Sequence, residues 1–340
     1  MICGWGPFPQ YAKGESFVER DIMGDIMGAA ADGALIGSDV LAGSEMNGMK
    51  RRGGREAMET AFHILFLLCG AVAMVFVLFI SVYLIVSGLP AIREIGLTDF
   101  LFGRVWDPTN KTSGAEYGIL PFILTSIYGT AGAVVIGVPL GLLTAMFLAK
   151  VASPRLARVI RSAVELLAGI PSVVYGLVGM IVLVPFIRET FDLSSGACLL
   201  AAIIVLAIMI LPSIINVSET ALRAVPKEYE EASLALGATH IETVFRVSVP
   251  AASSGIAASI VLGIGRAIGE AMAIIMVAGN VANMPGLFKS VRFLTTAVAS
   301  EMAYASGLQR QALFSIALVL FLFIMLINVV LNTLLKRKKG

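Results

Sequence analysis

Charge is scarce in this sequence: Asp, Glu, Lys and Arg make up 14% of its 340 residues, against 58% hydrophobic residues. The mean hydropathy is +0.90. A soluble fold needs far less apolar surface for its core, so the composition places the chain in lipid. Cysteine and histidine are scarcer still. Cys3, Cys69 and Cys198, with His63 and His240, form no CxxC pair and no Cys/His cluster, which leaves neither a disulfide framework nor a metal site to expect. Cys69 and Cys198 fall inside apolar runs and read as small packing residues. The phosphate-loop pattern GxxxxGK[ST] is missing, so the chain is not itself an ATP-binding subunit. HExxH, GxSxG and paired intramembrane aspartates are missing too, which argues against an intramembrane enzyme. Period-2 apolar alternation, the mark of a membrane barrel, is absent. No cofactor and no nucleic-acid partner is expected.

What the chain does have is long apolar runs. A hydrocarbon core about 30 Å thick takes roughly 20 helical residues. Six runs meet that length: Ala61–Ile85, Ile119–Ala149, Ile160–Ile187, Ala197–Val217, Ile256–Ala278 and Ala312–Leu335. The expected class is all-α, a polytopic membrane bundle of six transmembrane helices in residues 56–340. With both termini on the cytoplasmic side, 17 of the 25 Lys and Arg residues lie inside and seven outside, the asymmetry that sets orientation. The remaining one, Arg266, falls within a span.

Residues 1–55 differ from the rest. They are rich in Gly, Asp and Met, repeat Asp-Ile-Met-Gly at 21–28, and read as a mobile cytoplasmic tail, with Met46 and Met49 as alternative starts. The basic cluster Lys50–Arg55 precedes the first span directly, as an anchor flank does and a cleaved leader does not. The outward segment Pro90–Tyr117, with Trp106, Pro108 and Asn110, reads as turn and interface residues and is too short to be a ligand-binding domain. Glycine and proline inside the spans, as in Gly137-Val-Pro-Leu-Gly141, Ile170-Pro-Ser and Leu211-Pro212, allow helices to approach closely or kink. Glu165 and Glu219 lie near positive-inside ends and read as interfacial. His63 and His240 lack a ligand partner at metal spacing.

Between the fourth and fifth runs lies an inward polar segment, residues 225–250. Pro226 suits a helix start, Glu228, Glu230 and Glu231 suit the dipole of its first turns, and Gly237 suits its end. Glu231-Ala232-Ser233, Gly237 and the run Val247-Ser248-Val249-Pro250 resemble, at matched spacing, the EAA loop of ATP-binding-cassette importer permeases. The resemblance implies a type I importer permease fold, an ATPase partner, and a coupling role for Glu231, Ala232, Gly237 and Pro250, with the loop docking into a groove of the nucleotide-binding subunit. Three further stretches, Ala168–Gly179, Leu262–Ala273 and Leu294–Gly307 with Thr295, Glu301 and Met302, are similar to the phosphate-specific transport permeases, PstC type rather than PstA. This likeness covers about residues 60–335. It implies an inner-membrane phosphate permease working with a PstA-like second permease, a PstB-like ATPase dimer and an extracytoplasmic phosphate-binding protein.

Arg266 and Glu270 stand out on physical grounds alone. Counting at 1.5 Å per residue from Ile256, Arg266 is roughly 15 Å deep, where an unpaired charge costs from about 3 to more than 10 kcal/mol. Their i,i+4 spacing puts both on one helix face, where they can pair. A structural ion pair is one reading. The other is a water-filled path in which Arg266 binds an anion's oxygens and Glu270 holds Arg266 when the path is empty. By the same chemistry, Glu270 would accept a hydrogen bond from the proton that phosphate retains and sulfate lacks. A deep arginine does not name the anion, so molybdate and sulfate stay open here. An ion-coupled secondary transporter would call for inverted repeats, and none is visible.

Overall fold

The computed structural model describes residues 22–109 and 114–337, with side chains described from Met58 to Val330 and at Thr333. Its contacts divide it into two compact units, residues 1–78 and 79–340. The described part of the first unit is helical throughout, belonging to α1 (Ile22–Ile95). Of the segment expected as a tail, residues 22–55 are helical as part of α1, and residues 1–21 lie outside the described residues.

The second unit carries the end of α1 and every element after it. After α1, the short helix α2 (Leu97–Phe102) leads into a two-stranded antiparallel hairpin, β1 (Trp106–Asp107) and β2 (Glu116–Tyr117), in which Trp106 pairs with Tyr117. This corrects the reading of Pro90–Tyr117 as turn and interface residues. Trp106 is buried, meets Tyr117 edge-on at 5.6 Å between ring centroids, and packs with Phe100, Ile119 and Phe122 into a small apolar core. The aromatic rings bury too much surface to be left at an interface. Asn110 lies outside the described residues.

The bundle itself starts with α3 (Leu120–Met146), extended to Val151 by a π-helical turn, Phe147–Val151. Next come α4 (Pro154–Gly169), α5 (Ser172–Val178) and α6 (Val184–Thr190), the last two joined through a second π-helical turn, Gly179–Leu183. The third span thus runs Ser172–Thr190 and does not start at Ile160 as expected. Ile170 and Pro171 are extended and break the run, and proline disfavours the helical conformation in the residue before it. The preceding α4 is amphipathic, with Arg155, Arg158 and Glu165 exposed on one side and Ala157 and Val164 buried on another. An apolar count alone merges such a helix with its neighbour.

Helix α7 (Leu199–Arg223) forms the centre, with Ala202, Leu206, Ile210 and Ile214 among its buried residues. It packs along α3 because glycines there leave room. A methyl group added at Gly137 would lie 2.7 Å from Ile210 Cδ1, and one at Gly141 would lie 2.7 Å from Ile214 Cγ2. Small residues four apart allow this approach inside a bilayer, where apolar packing takes over from hydrophobic burial as the driving force.

Past α7, the polar segment folds as α8 (Lys227–Ala235), α9 (His240–Thr243), a third π-helical turn at Val244–Ser248 and α10 (Val249–Ala251). The chain then bends by 73° into α11 (Ser253–Gly269). A break at Glu270 and Ala271 separates α11 from α12 (Met272–Val277), so the fifth span is shorter than the run Ile256–Ala278 suggested. Finally α13 (Leu294–Glu301) precedes α14 (Gly307–Arg337). Among the described residues five helices are long and apolar enough to cross a membrane, and the bent pair ending in α11 makes a sixth. That is the six-span helical bundle read from the sequence.

Candidate functional site

Two regions concentrate the polar chemistry, one inside the bundle and one at its end. The inner one is the break after α11. Gly269 is the last helical residue, and Glu270 is extended, with φ −74° and ψ 131°. Three bonds hold it: its N–H donates to Ala267 O at 3.4 Å, its carboxylate Oε1 accepts from the Ala273 N–H at 3.0 Å, and its carbonyl accepts from Thr295 Oγ1 at 2.8 Å. The same-face pairing expected of Arg266 and Glu270 does not form, because the helix ends before Glu270 and the carboxylate turns forward to cap α12. Arg266, half-buried in the last turn of α11, has no ion pair or hydrogen bond among the described residues. Its neighbour Tyr175 on α5, close enough to feel the charge, donates to Leu167 O at 2.7 Å.

The three sequence stretches that carried the likeness to phosphate permeases meet here. Gly176 of the first faces Ala273 of the second so closely that a Cβ would lie 2.8 Å from Ala273 Cα. Thr295 of the third reaches Glu270 of the second. Gly265 and Gly269, before and after Arg266 in the chain, have open space beside them. The apolar groove of 410 Å³ alongside, lined by Ile170, Val174, Val178 and Ile208 among others, offers an anion nothing.

The second region is the loop of residues 225–250. Helix α8 ends in a Schellman motif: Gly237 N–H donates to Leu234 O at 2.9 Å, Ala238 N–H to Ser233 O at 3.3 Å, and Gly237 sits at φ 87°, a conformation that suits glycine. Thr239 then starts α9 with a capping box, its hydroxyl accepting from the Glu242 N–H while the Glu242 carboxylate accepts from the Thr239 N–H at 3.0 Å. Thr239-x-x-Glu242 is a readable signature that the sequence analysis passed over. These bonds hold the Glu242 carboxyl below its usual range, the backbone donor first and the hydroxyl second.

Glu231, Ala232, Gly237 and Pro250, the residues singled out for coupling, are all exposed, and so are Leu236, at 90% of its surface, Ile241, Tyr229 and Phe245. Glu230, by contrast, points inward, where it pairs with Lys150 Nζ and accepts from Ser248 Oγ at 2.9 Å. Burial pushes its carboxyl up, but the bonds from Lys150 and Ser248 outweigh that and leave it below the usual carboxylate range. Sequence reasoning gave Glu230 to the helix dipole, since Lys150 is 80 residues distant along the chain. His240 donates from Nε2 to Lys150 O at 3.0 Å.

Nearby, Glu219 is buried and held by Arg161 and by Arg223 Nε at 2.8 Å, while Arg223 Nη2 reaches Leu148 O at 2.9 Å. At the opposite end of the bundle Glu301 accepts from Arg292, from Trp106 Nε1 at 3.2 Å and from Gln309 Nε2 at 3.1 Å. Arg292 also donates to Asn280 O at 2.8 Å. Groups of His, Cys, Asp and Glu suited to a metal ion are absent among the described residues.

The chain belongs to the family of binding-protein-dependent transport system inner membrane components, matched over residues 137–339. It is a permease subunit of an ATP-binding-cassette importer, a role that implies a separate ATPase subunit and a substrate-binding protein. It is 38% identical over 286 residues to a probable ABC transporter permease protein, YqgH, of Bacillus subtilis (strain 168), covering 82% of this chain and 92% of that one. It is 35% identical over 293 residues to the phosphate transport system permease protein PstC of Haemophilus influenzae, covering 78% and 91%. The corresponding protein of Pasteurella multocida is 32% identical over 323 residues, covering 86% and 99%. An inward-facing structure of the MetNI methionine ABC transporter matches the fold with a TM-score of 0.50 at 20% identity, over 65% of this chain and 94% of that one.

Proposed function

We propose that this chain is the PstC-type permease of a phosphate importer, with Arg266 as the group that meets the anion. The observation that carries this reading is a guanidinium inside an apolar helix, next to a helix break, without an ion pair or hydrogen bond among the described residues. A charge at that depth needs water or a counter-ion, and a planar guanidinium matches two oxygens of a tetrahedral oxyanion. The names of the Haemophilus and Pasteurella relatives supply phosphate as the anion.

Glu270 complements Arg266 in this reading. Its Oε1 is committed to the Ala273 N–H, and Oε2 accepts the proton that phosphate retains near neutral pH. Sulfate has no such proton and meets a carboxylate with nothing to bind. The exposed face of the loop, with Glu231, Ala232, Gly237 and Pro250, docks a PstB-like ATPase dimer, and a PstA-like permease completes the path. An extracytoplasmic binding protein delivers phosphate. Both termini are cytoplasmic, following the positive-residue asymmetry. ATP binding and hydrolysis then switch the bundle between outward and inward openings.

The test is uptake of radiolabelled phosphate by transport-deficient cells expressing the chain with its partner subunits, with sulfate and molybdate as competitors. ATP-dependent uptake that a hundredfold excess of sulfate leaves intact supports phosphate. Uptake abolished by sulfate or molybdate reassigns the anion. Glu270→Gln is expected to admit sulfate, and unchanged sulfate rejection in that variant removes the role given to Glu270.

A further inference from the structure

The π-helical turn that ends the second span is gripped from three directions. Glu230, from the first loop helix, pairs with the Lys150 ammonium, and both side chains are largely buried, at 18% and 10% exposure. His240, at the start of the second loop helix, donates to the Lys150 carbonyl. Arg223, closing the fourth span, donates to the Leu148 carbonyl. Carbonyls in a helix's last turn lack intrahelical donors, and π-helical turns are local irregularities that recur at functional positions. Residues 147–151 therefore present an end that can be grasped, and two of the three grips come from the loop.

The far end of the same helix reaches the break. Ser126 Oγ, near the start of α3, accepts from the Leu294 N–H at 3.0 Å, and the next residue, Thr295, donates to the Glu270 carbonyl. Between the two ends α3 is one continuous helix, with Pro139 inside it, and lies against α7 without space for side chains at Gly137 or Gly141. The loop has a second, covalent route to Arg266 through α10 and α11, but that route passes a 73° bend. Contiguity alone does not establish coupling. Polar bonds at both ends of one continuous helix make α3 the more direct connection.

We propose that the turn Phe147–Val151 is the joint through which the 225–250 loop moves the second span, with Glu230, Lys150 and His240 as positioning residues that grip it. The proposal rests on the loop docking the ATPase. Glu231, on the exposed side of α8, meets the partner, while Glu230, one residue earlier and turned inward, passes the displacement to Lys150. Breaking the grip leaves the docking face in place and disconnects it from the bundle.

The experiment uses the whole transporter in nanodiscs, with Cys3 and Cys69 replaced by serine and a reporter cysteine introduced by Gly265→Cys beside Arg266. Three quantities are read: ATPase subunit retained on purification, ATP hydrolysis, and the change in thiol labelling at position 265 between nucleotide-free and ATP–vanadate states. None of these depends on which anion is carried. For Glu230→Gln and for Lys150→Met, retention and hydrolysis are expected to stay within about twofold of the parent. The nucleotide-driven change in labelling is expected to fall by about fivefold or more, the scale of ordinary coupling between sites. The exchange Lys150→Glu with Glu230→Lys is expected to restore at least about half of it, since an opposite-charge pair is rebuilt. A full labelling change in both single variants, or an exchange no better than either single variant, overturns the joint. Loss of the ATPase subunit from the single variants also overturns it, by making Glu230 a docking residue. If the parent transporter retains no ATPase through this loop, seen as full retention with Gly237→Asp, the docking reading fails separately.

Discussion

Two arginines of the bundle make opposite use of the same side chain. Arg292 is saturated by the chain: Glu301 takes one side of its guanidinium, the Asn280 carbonyl takes another, and the Phe122 ring lies 5.8 Å from its centre. Arg266 has none of this. A charge so fully met by its own chain does structural work, tying Asn280 and Arg292 to the end of α13. One held in an apolar helix, without a partner among the described residues, carries an unfavourable energy until water, a ligand or a neighbouring group meets it. The contrast marks Arg292 as a fastening and Arg266 as the residue that the proposed function uses.

The largest effect expected follows from removing the unpartnered charge. Arg266→Gln should lower phosphate uptake by roughly 100-fold or more, in line with loss of a charge-assisted contact worth several kcal/mol. Thermal stability should hold or rise, because the desolvated charge is gone. Arg292→Gln should do the reverse, leaving Glu301 half-buried without its cation at a cost of about 2 kcal/mol, read as a lower melting temperature in detergent with uptake falling only in proportion to folded protein. If both variants melt alike and transport alike, the distinction between the two arginines is lost.

Smaller effects sharpen the picture. Gly237→Asp puts a side chain at φ 87°, a strain of about 1–2 kcal/mol, which should weaken ATPase retention by about tenfold in co-purification. Thr295→Val removes one hydrogen bond to the Glu270 carbonyl, worth about 1 kcal/mol, and should slow uptake by up to about fivefold while leaving ATPase retention intact. The smallest effect concerns pH. The Glu230 carboxyl is held below its usual range, so its contribution is present above the unfolded carboxylate value and fades only as pH falls through the lowered folded one. In a His240→Asn background, which removes the imidazole on this loop, amide exchange in residues 227–248, corrected for intrinsic rates, should therefore be unchanged between pH 7 and pH 5.5. Loosening in that window contradicts the buried Lys150–Glu230 pair.

The sequence carried the architecture well, since runs of apolar residues and the spacing of Glu231, Gly237 and Pro250 depend on local periodicity and local turn chemistry. It misplaced the start of the third span because α4 and α5 are both apolar enough to merge, although Ile170-Pro171 marked the boundary. It put Arg266 in the right span but paired it wrongly with Glu270, since i,i+4 spacing holds only while the helix continues. The Glu230–Lys150 pair and the Thr295–Glu270 bond were illegible. Each joins residues far apart in sequence, and nothing local to either partner announces the other. Thr239-x-x-Glu242 was legible and passed over.

The central claim is that Arg266 is left free so that an anion can take it. The most direct measurement is initial-rate uptake of radiolabelled phosphate for wild type, Arg266→Lys and Arg266→Gln at matched membrane abundance and matched ATPase retention. The account predicts a graded loss, with lysine keeping about a tenth of the rate because charge survives without the planar fork, and glutamine near background. Uptake by Arg266→Gln at the wild-type rate, with the transporter intact, would contradict it.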